Sequence, residues 1–237
     1  MGRKQIKVEL VDFMGSDLST VNSARVSFDK ESDWDIIEHT GGNTKVVGEL
    51  KQGDKKLIKY LASHKHLTPF RHNAIQIRCH APIFLARQLG KHQAGLSWNE
   101  VSRRYVDSEP EFFIPDEWRG RPDGSIKQGS GGVVEEYPIY SFSTMEDVEY
   151  EHCYKDLVEF CREWYELNSH IAPEMARMVL PQSMMTSWYW SGNLLAFAHV
   201  YKERIAEDAQ LEAQWFAEEL DKVIRPLFPE SWSALVD

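Results

Sequence analysis

Residues 72–90 read H-N-A-I-Q-I-R-C-H-A-P-I-F-L-A-R-Q-L-G, and the change of period inside this stretch decides the fold class. From 72 to 80 apolar and polar side chains alternate, with Ile75, Ile77 and Cys79 on one side, as in a half-buried strand. Pro82 then opens a helix, I-F-L-A-R-Q-L-G. A strand that feeds directly into a helix, among further segments of both kinds, points to α+β. The expected architecture is one domain over 1–237, with a mixed or antiparallel sheet flanked by helices.

Outward from this stretch the same logic holds. Residues 5–12 (Q-I-K-V-E-L-V-D) alternate like a strand, and 18–27 read as a short helix entering a turn. Residues 30–54 are polar and contain glycine, so loop is expected, with at most a short helix. Asp54 stands as the cap of a helix with Leu57, Tyr60, Leu61 and His64 on one face. Residues 116–145 are rich in Gly and Ser and too long for an ordinary connection, so a lid or an insertion is expected there. An amphipathic helix is predicted over 146–168, carrying Val148, Tyr154, Leu157, Val158, Cys161 and Tyr165. A helix over 173–180 follows. Residues 183–191 suit a strand with Met184, Thr186, Trp188 and Trp190 on one face. Asn193 begins a helix to about residue 205, and a last helix spans about 208–227.

The 237 residues are 42% hydrophobic and 12% aromatic, enough to bury a substantial core. No apolar run is long enough for a membrane span. The net charge of −10 argues against a nucleic-acid polymer as the main partner. Cys79, Cys153 and Cys161 form no C-x-x-C pair, and a sparse, odd set fits reduced thiols in a cytoplasmic protein. Cys79 alternates with Ile75 and Ile77 as a core residue would, and Cys153 and Cys161 read as helix packing. His64, His66 and His72 are joined by no cysteine or carboxylate pattern, so no metal site is expected. G-x-S-x-G, H-E-x-x-H, a P-loop and G-x-G-x-x-G are all missing.

The chemistry concentrates in Arg87–Tyr105, R-Q-L-G-K-H-Q-A-G-L-S-W-N-E-V-S-R-R-Y. Arg87, Lys91, Arg103 and Arg104 are interleaved with His92, Ser97, Asn99, Glu100 and Ser102. Cations mixed with hydrogen-bonding groups inside an acidic chain suit an anionic small molecule. Arginine forks match phosphate, and Asn or Gln can pair with the imide edge of a base.

The run resembles the signature of the flavin-dependent thymidylate synthases, R-H-R-x-x-S-x-N-E-x-S-x-R-Y. Ser97 to Tyr105 match it fully. Lys91 and Gln93 stand where that family has arginine, and the spacer Ala94-Gly95-Leu96 is one residue longer. V-E-L-V-D-F-M-G-S-D-L-S-T-V-N-S-A-R-V-S-F, H-L-T-P-F-R-H, A-P-I-F-L-A-R-Q, M-A-R-M-V-L-P and T-S-W-Y-W-S-G-N, then Arg204 and Gln210, are similar to family blocks in the same order.

The resemblance implies FAD-dependent reductive methylation of dUMP to dTMP with 5,10-methylenetetrahydrofolate and NADPH or NADH, by a homotetramer. It implies that Gln88, Lys91, Glu100, Val101, Ser102, Arg103, Arg104, Arg177 and Arg204 surround dUMP. Lys91 would sit between nucleotide and flavin, and Arg204, Lys91 and His92 would carry the catalysis. It places Ser27, His66, Thr68, Arg71, Lys91, His92, Gln93, Asn193, Leu195 and His199 at FAD. Leu195 and His199 replace the family's arginine and asparagine, and Arg71 replaces a glutamate, so the FAD side is the more altered one. Arg71 stands where it would return the cation missing at Gln93. The altered triplet and longer spacer motivate a second reading, a flavin enzyme making another 5-substituted pyrimidine nucleotide, such as 5-hydroxymethyl-dUMP; a third, of a different class, is a nucleotide-binding member without catalysis.

Overall fold

The computed structural model describes residues 2–37, 47–106, 108–122, 129–135, 139–143 and 149–237. Strand β1 (Lys7–Met14) leads into α1 (Asp17–Arg25), capped by the Ser16 hydroxyl, which accepts from the Ser19 N–H. A small hairpin pairs β2 (Asp35–Ile37) with β3 (Val47–Glu49), where the sequence suggested loop. Helix α2 (Gln52–Ser63) follows, then β4 (Ala74–Pro82), which runs without a break into α3 (Ile83–Leu89). Strand β5 (Leu96–Glu100) carries the signature. A second hairpin, β6 (Ile139–Ser143) with β7 (Glu149–Cys153), precedes α4 (Tyr154–Leu167) and the short α5 (Pro173–Ala176). The chain closes with β8 (Met185–Asn193), α6 (Leu194–Ile205), α7 (Leu211–Ile224) and α8 (Pro229–Val236).

The main sheet has the order β1-β4-β8-β5, and every pairing in it is antiparallel. On one face Ile75, Ile77 and Cys79 of β4 lie beside Trp188 and Trp190 of β8, all buried. They form one core with Leu85 of α3, Phe197 of α6, and Phe216 and Leu220 of α7. Met184 and Thr186 are buried as well, so the face read from 183–191 is the one buried. The chain is a single α+β domain, as the sequence indicated.

Four local readings are corrected. Helix α2 begins before Asp54, whose buried carboxylate takes the Arg25 guanidinium and the Ser32 hydroxyl instead of capping. Its buried face is Asp54, Ile58 and Leu61; Tyr60 and His64 are exposed and stack on each other with ring centroids 4.0 Å apart. Over 146–168, the first described residues form strand β7, and the helix starts only at Tyr154; Val148 lies outside the described residues. The Asp156 carboxylate accepts the Cys153 N–H at 2.8 Å and so marks the change from strand to helix. The helix read over 208–227 is α7, shorter at both ends, and a further helix, α8, which the sequence reading did not include, starts beyond it at Pro229. Asp17 fixes that start by accepting the N–H groups of Glu230 and Ser231 at 2.9 and 2.8 Å. In β1 the register slips between Leu10 and Asp12, a bulge that turns this edge strand and leaves Val11, Phe13 and Met14 exposed.

Candidate active site

Because β4 passes straight into α3, one face of α3 and the residues just past its end are held rigidly against the sheet. Arg87, Gln88, Lys91 and His92 line a cavity of about 880 Å³ there. The opposite wall is β5, whose alternation sends Leu96, Trp98 and Glu100 inward. Ser97 and Asn99 fall on the other face, opposite Ser191 and Tyr189 in the register. Within β5 the signature is therefore split by the pleat, and only Leu96, Trp98 and Glu100 of that strand face this cavity. Trp98 is fixed by stacking on Trp188, with centroids 4.3 Å apart at 17°. Glu100 is fixed by the Thr186 hydroxyl at 2.9 Å and the Trp98 N–H at 3.3 Å.

Arg204, from the last turn of α6, reaches the same cavity and donates its Nε–H to His92 Nε2 at 3.0 Å. That bond requires a neutral His92. Burial, the Arg204 charge and the nearby His199 together push the His92 imidazole down to about 4 from 6.5. Among the described residues the remaining guanidinium N–H groups of Arg204 take no partner, which leaves them to serve a ligand. A depressed histidine pKa means that the unfolded chain binds the extra proton first. Its stabilising effect is whole above pH 6.5 and is lost as pH falls toward 4. Thermal unfolding followed across that window is expected to show a steeper loss for the native chain than for His92→Gln; equal slopes would refute the coupling.

A second cavity of about 790 Å³ adjoins the first and shares Phe84, Gln88, Gln182 and Arg204 with it. Between them runs a relay of side chains. Arg119 donates to Glu212 at 2.6 Å, Gln210 Nε2 donates to Glu212 at 2.8 Å, and Gln88 Nε2 donates to Gln210 Oε1. A carboxylate only accepts, so Glu212 dictates the direction of both amides. Arg119 belongs to the segment read as lid or insertion. In its described part that segment forms a bridge, Arg119 to Val133, and lies against α7 through the Glu212 ion pair.

Val101, Ser102, Arg103 and Arg177 line a smaller cleft of about 310 Å³, joined to the first cavity at Ile83 and Glu100. Arg104 lines neither; it bonds the Ser102 hydroxyl at 3.3 Å and lies 5.0 Å over the Tyr105 ring. Arg71, Asn193, Leu195 and His199 line a groove of about 400 Å³ at the start of α6. The His92 and His199 rings meet edge to face at 5.8 Å, so His92 stands between this groove and the first cavity. Gln93 lines the first cavity. Ser27, His66 and Thr68 are exposed and belong to none of these walls. Of the residues singled out in the sequence, the structure brings Gln88, Lys91, His92, Gln93, Glu100 and Arg204 together around one cavity and leaves Arg104, Ser27, His66 and Thr68 outside it. The sequence reading gave no site role to Arg119, Gln210 or Glu212. The Arg119–Glu212 contact spans 93 positions and has no local signal.

An α+β domain whose facing cavities collect arginines, a lysine and ordered amides offers the donors that an anionic ligand needs. The family model described as thymidylate synthase complementing protein matches residues 9–230. Flavin-dependent thymidylate synthases from Thermosipho africanus and Thermus thermophilus are 34% and 33% identical, over 97% and 96% of this chain and 90% and 74% of those proteins. The solved structure of a UMP/dUMP methylase, PolB from Streptomyces cacaoi, superposes with a TM-score of 0.71 in its 5-Br UMP complex and 0.70 with 5-Br dUMP. Identity to it is 28% and 29%, covering 98% and 97% of this chain and 93% and 94% of that one. The chain belongs to the flavin-dependent thymidylate synthase family.

Proposed function

We propose that this protein methylates dUMP to dTMP, with FAD bound and with methylenetetrahydrofolate and NADPH or NADH as co-substrates. The observation that carries the reading is the meeting of Arg204, Lys91, His92 and Gln88 in one cavity of a chain from this family. Cysteine chemistry offers no competing route. Cys79 is buried in β4 with its thiol pushed up by burial, and neither Cys153 nor Cys161 lines the cavity. Flavin, when bound, supplies hydride chemistry, which removes the need for a protein thiolate.

The residues present fit such a group. Lys91, His92 and Gln93 stand on the cavity side of the His92–His199 contact, and Arg71, Asn193 and His199 on the groove side. Gly95 has φ +76°, and a side chain there would meet Asn193 Nδ2 at 2.7 Å, so bare backbone borders the groove. In this reading Arg204 stabilises negative charge developing on the uracil ring, and neutral His92 holds it in place. Glu100, Ser102, Arg103 and Arg177 hold the sugar and phosphate from the adjoining cleft. Ser27, His66, Thr68 and Arg104 then serve a neighbouring copy's site in a homotetramer. Among the described residues the Ser102 hydroxyl bonds to Arg104 and to no base, so it acts as a binding group only.

The likeness to the UMP/dUMP methylase supports a second reading in which UMP is accepted too. Mass spectrometry of the nucleotide after anaerobic incubation with FAD, methylenetetrahydrofolate and NADPH tests both. A methyl gain on dUMP is expected, and a parallel gain on UMP establishes the wider specificity. A hydroxymethyl gain assigns the alternative product, a consequence of Lys91, Gln93 and the longer spacer. An unchanged nucleotide with flavin bound leaves binding without catalysis.

A further inference from the structure

Gln88, in the last turn of α3, lines both large cavities beside Arg204. A side-chain amide is a donor at one end and an acceptor at the other, so its orientation decides which edge of a ligand it can read. Here that orientation is set from outside the first cavity. Gln210 and Glu212 line the second cavity and not the first, and the link from Gln88 to Gln210 spans 122 positions.

The relay can run in one direction only. Glu212 is 3% exposed and lies in the first turn of α7, where a helix N-terminus favours negative charge. Its Oε1 accepts from Arg119 at 2.6 Å and its Oε2 from Gln210 Nε2 at 2.8 Å. A rotated Gln210 amide would set oxygen against carboxylate oxygen, so Gln210 turns its Oε1 to Gln88. Gln88 meets that oxygen with Nε2. The Gln88 Oε1 is therefore turned away from the relay, and among the described residues it takes no donor. At the far end Arg119, from the inserted segment, can only donate, which fixes the same polarity.

We propose that Glu212 and Gln210 are positioning residues that aim the Gln88 oxygen at the imide N–H of a uracil nucleotide, and that this fixed polarity selects uracil over cytosine. The proposal rests on the nucleotide reading above, in which Arg204 meets the ring and the phosphate lies in the adjoining cleft. Gln88 lines the cavities of Arg204 and not that cleft, so it stands on the ring side. A sugar hydroxyl donates or accepts and would be served by either end of the amide. The uracil imide is served only by the oxygen, whereas cytosine presents a bare ring nitrogen at the same place.

The test is equilibrium binding of dUMP and dCMP to the full chain and three variants, with Tm measured beside it. Glu212→Gln keeps the shape but brings a donor into the relay. Arg119 still needs an acceptor, so the new amide turns its oxygen to Arg119 and its nitrogen to Gln210. Gln210 and Gln88 then reverse in turn, and Gln88 shows nitrogen to the ring. dUMP affinity is expected to fall about tenfold, while dCMP affinity holds or rises. Gln210→Met leaves the Arg119–Glu212 pair in place and unties the Gln88 amide. Its ratio of dUMP to dCMP affinity is expected to fall several-fold with Tm near that of the native chain. Gln88→Glu added to Glu212→Gln restores an acceptor at the ring and returns the ratio toward the native one; the added charge acts on both nucleotides alike. A ratio within twofold of native in all three variants, or a parallel loss of both nucleotides, would overturn the proposal. The ratio reads binding alone, so a native chain that binds dUMP without methylating it defeats the proposed reaction, and the same shift in ratio still supports the relay. A native chain that binds neither nucleotide overturns both.

Discussion

Arg204→Ala lowers the turnover of dUMP by about 100- to 1,000-fold, the usual cost of removing one donor aimed at developing charge. The expectation rests on the position of the guanidinium. It lines both large cavities, and its orientation is set by His92 through Nε. A lysine keeps the charge but has no planar fork and no Nε–H to give to His92, so Arg204→Lys recovers only part of the rate. Because Arg204 makes no ion pair among the described residues, the fold survives the change and Tm moves little. Single-turnover kinetics with dUMP, beside dUMP affinity by calorimetry, separate loss of chemistry from loss of binding. A rate within threefold of the native chain would remove Arg204 from the catalytic role.

Trp188→Ala destabilises the domain by about 3–5 kcal/mol, the range for deleting a large aromatic from a core. Trp188 is 1% exposed, stacks on Trp98 and faces Phe216 at 6.2 Å, so it joins β8, β5 and α7. A fall in Tm of about 10 °C follows for a domain of this size. The damage also reaches the site, since Trp98 loses the surface that holds it and Trp98 helps to hold Glu100. The Trp188 indole N–H has no hydrogen-bond partner among the described residues. Trp188→Phe therefore leaves no polar partner behind and costs less than half as much. Thermal unfolding of both variants checks the order; an alanine variant as stable as the phenylalanine one would contradict it.

Period-two alternation in 72–80 and 183–191, and helical spacing after Pro82 and Asn193, are properties of the local chain, and the structure has them where the sequence puts them. The clustering of residues at the first cavity was legible only in part. Gln88, Lys91 and His92 follow one another on and just after α3, so their meeting needed only that helix. Arg204 joined them through family resemblance, because nothing local ties it to His92, 112 positions away. Ser97 and Asn99 show the opposite case. The motif includes them, but the pleat turns them away from the cavity.

By itself the sequence determined β1, β4, α3, β8, α6 and α7, the apolar face of the sheet and the cationic character of the segment after α3, because each depends on residues a few positions apart. Tertiary structure alone decided which charges are compensated. Asp54 spends its carboxylate on Arg25 and Ser32, Asp17 on α8, and Glu212 on Arg119 and Gln210. A charge's effect depends on what lies within a few ångströms of it, and sequence separation does not carry that distance.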